Sequence, residues 1–254
     1  MTRTVALFSL GGAPGVTTLS MALASVWPGE AGAVLVEADA SGGDIATRYR
    51  LHASPALIDL AAAARRGPAE NGGATGGPLA HSQALPGGLP VCAAPTTADR
   101  ANGAVELLAQ NPGILGADQA PAVVVDLGRL APRSPAARLA MAADVVVLVV
   151  QDDLAQLRRV KDSAAAFREA FRDLRVVVRT GADSTSEIAE ATGLPVAERI
   201  GRDDKAAAFL RGERNDRRPH KRPLFKTAAV LARRLAEETA PIPAPDTRPV
   251  GVQS

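Results

Sequence analysis

The chain has 254 residues, 46% of them hydrophobic, and a formal net charge of +2, which supports a full globular core and excludes a disordered or low-complexity protein. Aromatic residues make up only 3%, so Ala, Val and Leu must do the packing. The single cysteine, Cys92, excludes an intrachain disulfide and suits a reducing cytosol, and no apolar run is long enough to predict a transmembrane helix.

The first predicted element is a short buried strand over 3–9. Arg3 followed by Val-Ala-Leu-Phe resembles the start of a secretion signal, but a glycine-rich turn follows at once and the apolar core is too short. Residues 9–18, Ser-Leu-Gly-Gly-Ala-Pro-Gly-Val-Thr-Thr, have the frame of the phosphate-binding motif G-x-x-x-x-G-K-[ST]. Leu10 stands in place of the first glycine and Val16 in place of the lysine. Gly11, Gly12 and Gly15 supply the backbone freedom that a phosphate cradle needs, and Thr17 offers a hydroxyl to Mg²⁺. Pro14 removes one N–H donor. Losing the lysine costs one charge-assisted hydrogen bond, about 1.5–3 kcal/mol, and the loss of one stabiliser of transition-state charge costs about 10²–10³ in rate. A helix over 16–26 follows, with Leu19, Ala22, Leu23 and Val26 at helical spacing.

A second strand, 33–38, runs into Glu37 and Asp39, and carboxylates at such a strand end lie at the ligand edge of an open α/β sheet. Helix 55–65 comes next. The segment 67–88 is rich in Gly, Pro and Ala and reads as a mobile surface loop. Strand 89–94 and helix 97–110 lead to a strand over 122–127 that carries Asp126 at its end, where a Mg²⁺-holding acid belongs in a phosphoryl-transfer site. Helix 134–142, strand 144–150, helix 153–172, strand 175–180, helix 184–192, strand 196–200 and helix 203–211 complete an alternating series. That alternation predicts an α/β fold with an open, mainly parallel sheet and helices on both faces.

Residues 211–226 hold seven basic side chains against Glu213 and Asp216, a local charge of +5 on a chain of +2. Such a segment offers contact to nucleic acid or an anionic surface. Helix 224–238 has an amphipathic face expected to pack on the domain, and the proline-rich tail 239–254 is expected to be disordered.

Several of these stretches resemble the deviant Walker-A P-loop proteins of the ParA/MinD group. They are Gly11-Gly-Ala-Pro-Gly-Val-Thr-Thr18, Glu37-Ala-Asp39 continuing to Gly43-Asp44-Ile-Ala46, Val123-Val-Val-Asp126-Leu-Gly128, and Ala143-Asp144-Val-Val-Val-Leu-Val-Val150. The acid-x-Asp followed by Gly-Asp-hydrophobic-Ala is most similar to the branch around the pilus-assembly proteins CpaE and TadZ. The resemblance covers roughly residues 3–212 and implies one P-loop domain of SIMIBI type over 1–238. It implies nucleotide contacts from Gly11, Gly12, Ala13, Gly15, Val16, Thr17, Thr18 and Arg179, Mg²⁺ contacts from Thr17 and Asp126, and a water oriented by Asp39.

Gly11 replaces the signature lysine that reaches a partner's phosphates in that family, so both loop lysines are absent. Gly128 stands in place of the family's proline. The only lysines are Lys161, Lys205, Lys221 and Lys226, none near the loop in sequence. The implied cofactors are ATP and Mg²⁺, bound weakly or not at all, with hydrolysis impaired. The implied role is a cytoplasmic localisation or assembly factor for a Tad pilus or secretion machine, with protein partners, a homodimer as one option and a peripheral position at the membrane through partners. Two other functions fit the sequence. One is an active ATPase for DNA partitioning or division-site placement, and the other is a nucleotide-independent nucleic-acid binder.

Overall fold

The computed structural model describes residues 2–30, 32–66, 76–117, 120, 122–179, 181 and 184–237. Eight strands form one sheet: β1 (Arg3–Ser9), β2 (Ala33–Glu37), β3 (Gln83–Ala84), β4 (Pro90–Cys92), β5 (Ala122–Arg129), β6 (Val145–Gln151), β7 (Leu174–Arg179) and β8 (Val196–Ile200). Their order is β3-β4-β2-β5-β1-β6-β7-β8, with only the β3–β4 pair antiparallel. The predicted open, mainly parallel sheet with helices on both faces is what the chain adopts.

Successive residues of a strand face opposite sides of the sheet, and here both sides are covered. Ala6, Phe8, Val123, Val125, Leu127, Val146 and Leu148 enter one core. It is closed by α3 (Leu57–Arg66), α4 (Ala98–Gln110), α5 (Pro135–Ala142), α6 (Leu154–Ala170) and α7 (Thr185–Thr192). Phe8, Phe167 and Phe171 meet there with ring centroids 5.6–5.8 Å apart. Val5, Leu7, Ala122, Val124, Val145 and Val147 enter the other core, under α1 (Val16–Ser25), α8 (Asp204–Leu210) and α9 (Pro223–Glu237). Double-sided burial explains why the central strands read as unbroken Val and Leu runs rather than as alternating patterns.

The topology also positions the candidate loop. β1 is central, with the β5-β2-β4-β3 group on one side and β6, β7 and β8 on the other. The turn after β1 therefore opens where the connections diverge, which is where parallel sheets bind ligands.

Two details differ from expectation. A short helix, α2 (Ile45–Tyr49), follows the acid-bearing strand, and the Tyr49 hydroxyl donates to the Leu210 carbonyl at 3.0 Å. Five residues are too few to register as helical periodicity. Within the segment expected to be a mobile loop, residues 67–75 lie outside the described residues, whereas 76–88 contain a 3-10 turn (Leu79–His81) and the edge strand β3. The Gln83 amide anchors that strand by donating to the carbonyls of His52 and Pro55 at 2.8 and 2.7 Å. The proposed tail, 239–254, also lies outside the described residues.

Helix α9 packs its apolar face on the domain as its pattern predicts, with Leu231 fully buried. Leu231→Ala should cost about 2–5 kcal/mol in urea unfolding, the usual loss for a deleted core leucine.

Candidate functional site

The loop after β1 is built from left-handed backbone. Gly12, Ala13 and Gly15 have φ of 73°, 44° and 89°. Ala13 tolerates that region at some cost, whereas at Gly12 a side chain would also collide with the Gln156 amide that covers it. Gly15 is the N-cap of α1 and brings no capping side chain, so the first amides of α1, from Val16 onward, point out without a side-chain partner. Amides so placed, at the positive end of a ten-residue helix, suit an anion.

The lysine-to-valine exchange has a clear physical outcome. Val16 is 6% exposed and its side chain packs in the core beneath α1, so it offers the loop only its N–H. Thr17 and Thr18 are half-buried and line a cavity of about 170 Å³ together with Glu37, Asp39 and Asp44. On the other side of the loop, Ala13, Pro14, Gly15 and Thr18 line a cavity of about 240 Å³ with Arg179, Asp203, Asp204 and Arg211.

The acids divide into distinct roles. Asp126 is completely buried within β5, three residues before its end. Its Oδ1 accepts the Gly128 N–H at 3.0 Å, and the Thr17 hydroxyl lies close enough to lower its pKa, yet Oδ2 has no partner in hydrogen-bond geometry. Burial dominates and raises the Asp126 pKa to about 6, with Asp39 adding to the rise. Asp39 accepts the Ser41 N–H at 2.8 Å and lies against Gly128, where any side chain would overlap its carboxylate. Gly128 also has φ 57°, so the proline of the resembling family could not stand there in this conformation.

Glu37 turns inward. Its carboxylate accepts N–H groups from Asp44 at 2.9 Å, Ile45 at 3.2 Å and Ala94 at 2.9 Å, and so ties the end of β2 to α2 and to the residues after β4. Desolvation raises its pKa to about 7, and Asp126 contributes to that rise. Asp144 likewise has a structural role, accepting the Thr4 N–H at 2.8 Å at the foot of β1.

Thr17 and Asp126 thus meet as the resemblance implied, with Asp39 beside them. An unpartnered buried carboxylate oxygen next to a threonine hydroxyl fits a Mg²⁺ ion whose remaining ligands are phosphate oxygens and water. Among the described residues no three His, Cys, Asp or Glu side chains are grouped to hold a metal by themselves. Arg179, expected at the nucleotide, has its Nη1 donating to the Pro14 carbonyl at 2.9 Å and so braces the loop from β7.

The structure brings in residues that sequence reading missed. Arg159 Nη1 lies 3.0 Å and Arg129 Nη2 3.7 Å from the point where a side chain on Gly11 would begin. Gln156 covers Gly12 while its Oε1 accepts the Gln151 N–H at 3.0 Å. Nothing in the local sequence around 129, 156 or 159 marked these residues. In the basic segment, Arg211 pairs with Glu213 and Arg222 with Asp216, so both of its acids are engaged locally.

The raised pKa values set a pH dependence. Between about 4.5 and 7 at Glu37, and between about 3.8 and 6 at Asp126, the folded chain holds a proton that the unfolded chain has released. Stability should therefore fall as pH rises through those windows, by up to roughly 1.4 kcal/mol per pH unit for each group. Denaturant titrations at pH 5 and pH 7.5 check this. Millimolar Mg²⁺ should recover part of the loss at pH 7.5 in the parent but not in Asp126→Asn.

No family model matches the chain, and no curated protein matches it. Solved structures do. A ParA family ATPase from Chlorobium tepidum TLS superposes with TM-score 0.69 at 19% identity, covering 91% of this chain and 97% of that one. MinD in the MinC:MinD cell division complex of Aquifex aeolicus gives 0.66 at 17%, covering 95% and 98%. The septum site-determining protein MinD of Pyrococcus horikoshii OT3, complexed with Mg-ADP, gives 0.64 at 16%, covering 93% and 95%. Over nearly its whole described length, this chain has the fold of the ParA/MinD ATPases.

Proposed function

We propose that this chain binds a Mg-nucleotide, hydrolyses it weakly or not at all, and serves as a localisation or assembly factor for a Tad-type pilus or secretion machine. The observation that carries the nucleotide half is Asp126 Oδ2, buried without a partner beside Thr17 under an amide-lined turn. In this reading the amides of Gly12 to Thr18, apart from Pro14, hold phosphate. Thr17 and Asp126 would hold Mg²⁺, which would neutralise phosphate charge. Asp39 orients a water, and Arg179 lies at the base side of the loop.

Weak turnover follows from Val16. Its side chain is committed to the core and cannot deliver charge to the β and γ oxygens. The positioning role draws support from the CpaE/TadZ-like pattern at 37–46 and from the fold shared with a MinD that assembles with MinC. No helix among the described residues is long and apolar enough to cross a membrane.

Isothermal titration with Mg-ATP should give saturable binding that disappears in Gly15→Val, where φ is 89° and Arg179 Nη1 stands 2.9 Å from the new Cβ. Absence of heat with the parent at millimolar nucleotide would remove the nucleotide half. Phosphate release should be about 10²–10³-fold below that of lysine-bearing proteins of this fold. Full turnover, with or without DNA, would favour the active partitioning ATPase instead. A fluorescent fusion that fails to mark sites of pilus assembly would end the assembly half.

A further inference from the structure

We infer that Arg129 and Arg159 form a phosphate clamp supplied in cis, which substitutes for the charge missing from both loop lysine positions and lets one chain bind a polyphosphate without a second copy. The inference rests on the phosphate-loop reading above and adds to it the groups that recognise the anion.

Both guanidiniums converge on Gly11 from elements distant in sequence. Arg129 ends β5, where it pairs in register with Ser9 of β1, and Arg159 lies one turn into α6. Each is exposed. Two like charges gathered at one point are unfavourable unless an anion lies between them. The acids around the start of α6 are already engaged. Asp152 pairs with Arg199 at 3.3 Å, Asp153 caps α6 by accepting the Gln156 N–H at 3.1 Å, and Asp162 accepts from Arg158 Nε at 3.0 Å. Arg158 and Arg159 are adjacent, yet one is spent on its own helix and the other is turned toward the loop.

The glycine at position 11 belongs to the same arrangement. A lysine there would need the space that the Arg159 guanidinium occupies, so Gly11 and the clamp depend on each other. Gly11 also has φ 150°, a region that side chains rarely adopt. A guanidinium binds phosphate through a planar fork of donors and never deprotonates in the working range, which makes two of them a competent replacement for ammonium groups. Because both come from the same chain as the loop, nothing in the clamp requires dimerisation.

The test is titration calorimetry of the full chain with inorganic tripolyphosphate and, separately, with Mg-ATP, accompanied by sedimentation velocity at saturation. Tripolyphosphate should bind the parent, and Arg129→Ala/Arg159→Ala should weaken it at least about 10- to 100-fold, the loss expected for one to two charge-assisted hydrogen bonds. Arg158→Ala, which removes one positive charge from the neighbouring position, should leave binding unchanged. Circular dichroism should show all variants folded, since these side chains are exposed. Parent-like affinity in the double variant, an equal loss in Arg158→Ala, no tripolyphosphate binding by the parent, or binding seen only in a dimer would each overturn the clamp. Tripolyphosphate binding without Mg-ATP binding would leave the clamp standing and remove the nucleotide reading alone.

Discussion

Asp126 sits fully buried within β5, holds the Gly128 amide with one oxygen and leaves the other without a partner. A desolvated carboxylate is costly in a folded protein unless something offsets it, and the surroundings are organised around that cost. Thr17 faces it from the start of α1, Asp39 is held beside it over Gly128, and Glu37 is held in place by three amides. Each of these contacts depends on the order β2-β5-β1, which brings three strand ends to one edge of the sheet.

Around that edge the positive charge has moved. The residue at 16 became part of the core and the residue at 11 became a glycine, while guanidiniums arrived from β5, α6 and β7. Arg179 shows the difference between bracing and binding, because its hydrogen bond to the Pro14 carbonyl engages the loop's own backbone. Arg129 and Arg159 make no such contact and remain directed at the loop's mouth. A site so arranged favours holding an anion over consuming it, since no cation reaches through the loop itself to where charge develops during phosphoryl transfer.

Much of this was legible in the residues. Valine and leucine runs marked the buried strands, and acids at 37, 39 and 126 marked their ligand-facing ends because a parallel strand buries everything but its tips. Glu37 lies at that edge, lining the cavity with Thr17 and Asp39, and its three backbone hydrogen bonds also make it a structural tie. Helix α2 and strand β3 escaped because five and two residues carry no period. Gly128 read as a missing proline, although its left-handed φ and the Asp39 carboxylate leave room for nothing but glycine.

The amino-acid order alone determined the α/β class, the glycine turn after the first strand and the acids that serve it, because those depend on local periodicity and on short spacing. Only the tertiary structure decided where the charge comes from. Position 129 is more than a hundred residues from the loop and position 159 further still, and nothing in their local pattern distinguishes a clamp from a solvated arginine. The sheet order and the packing of α6 beside β1 bring them to Gly11, and that is a property of the folded chain as a whole.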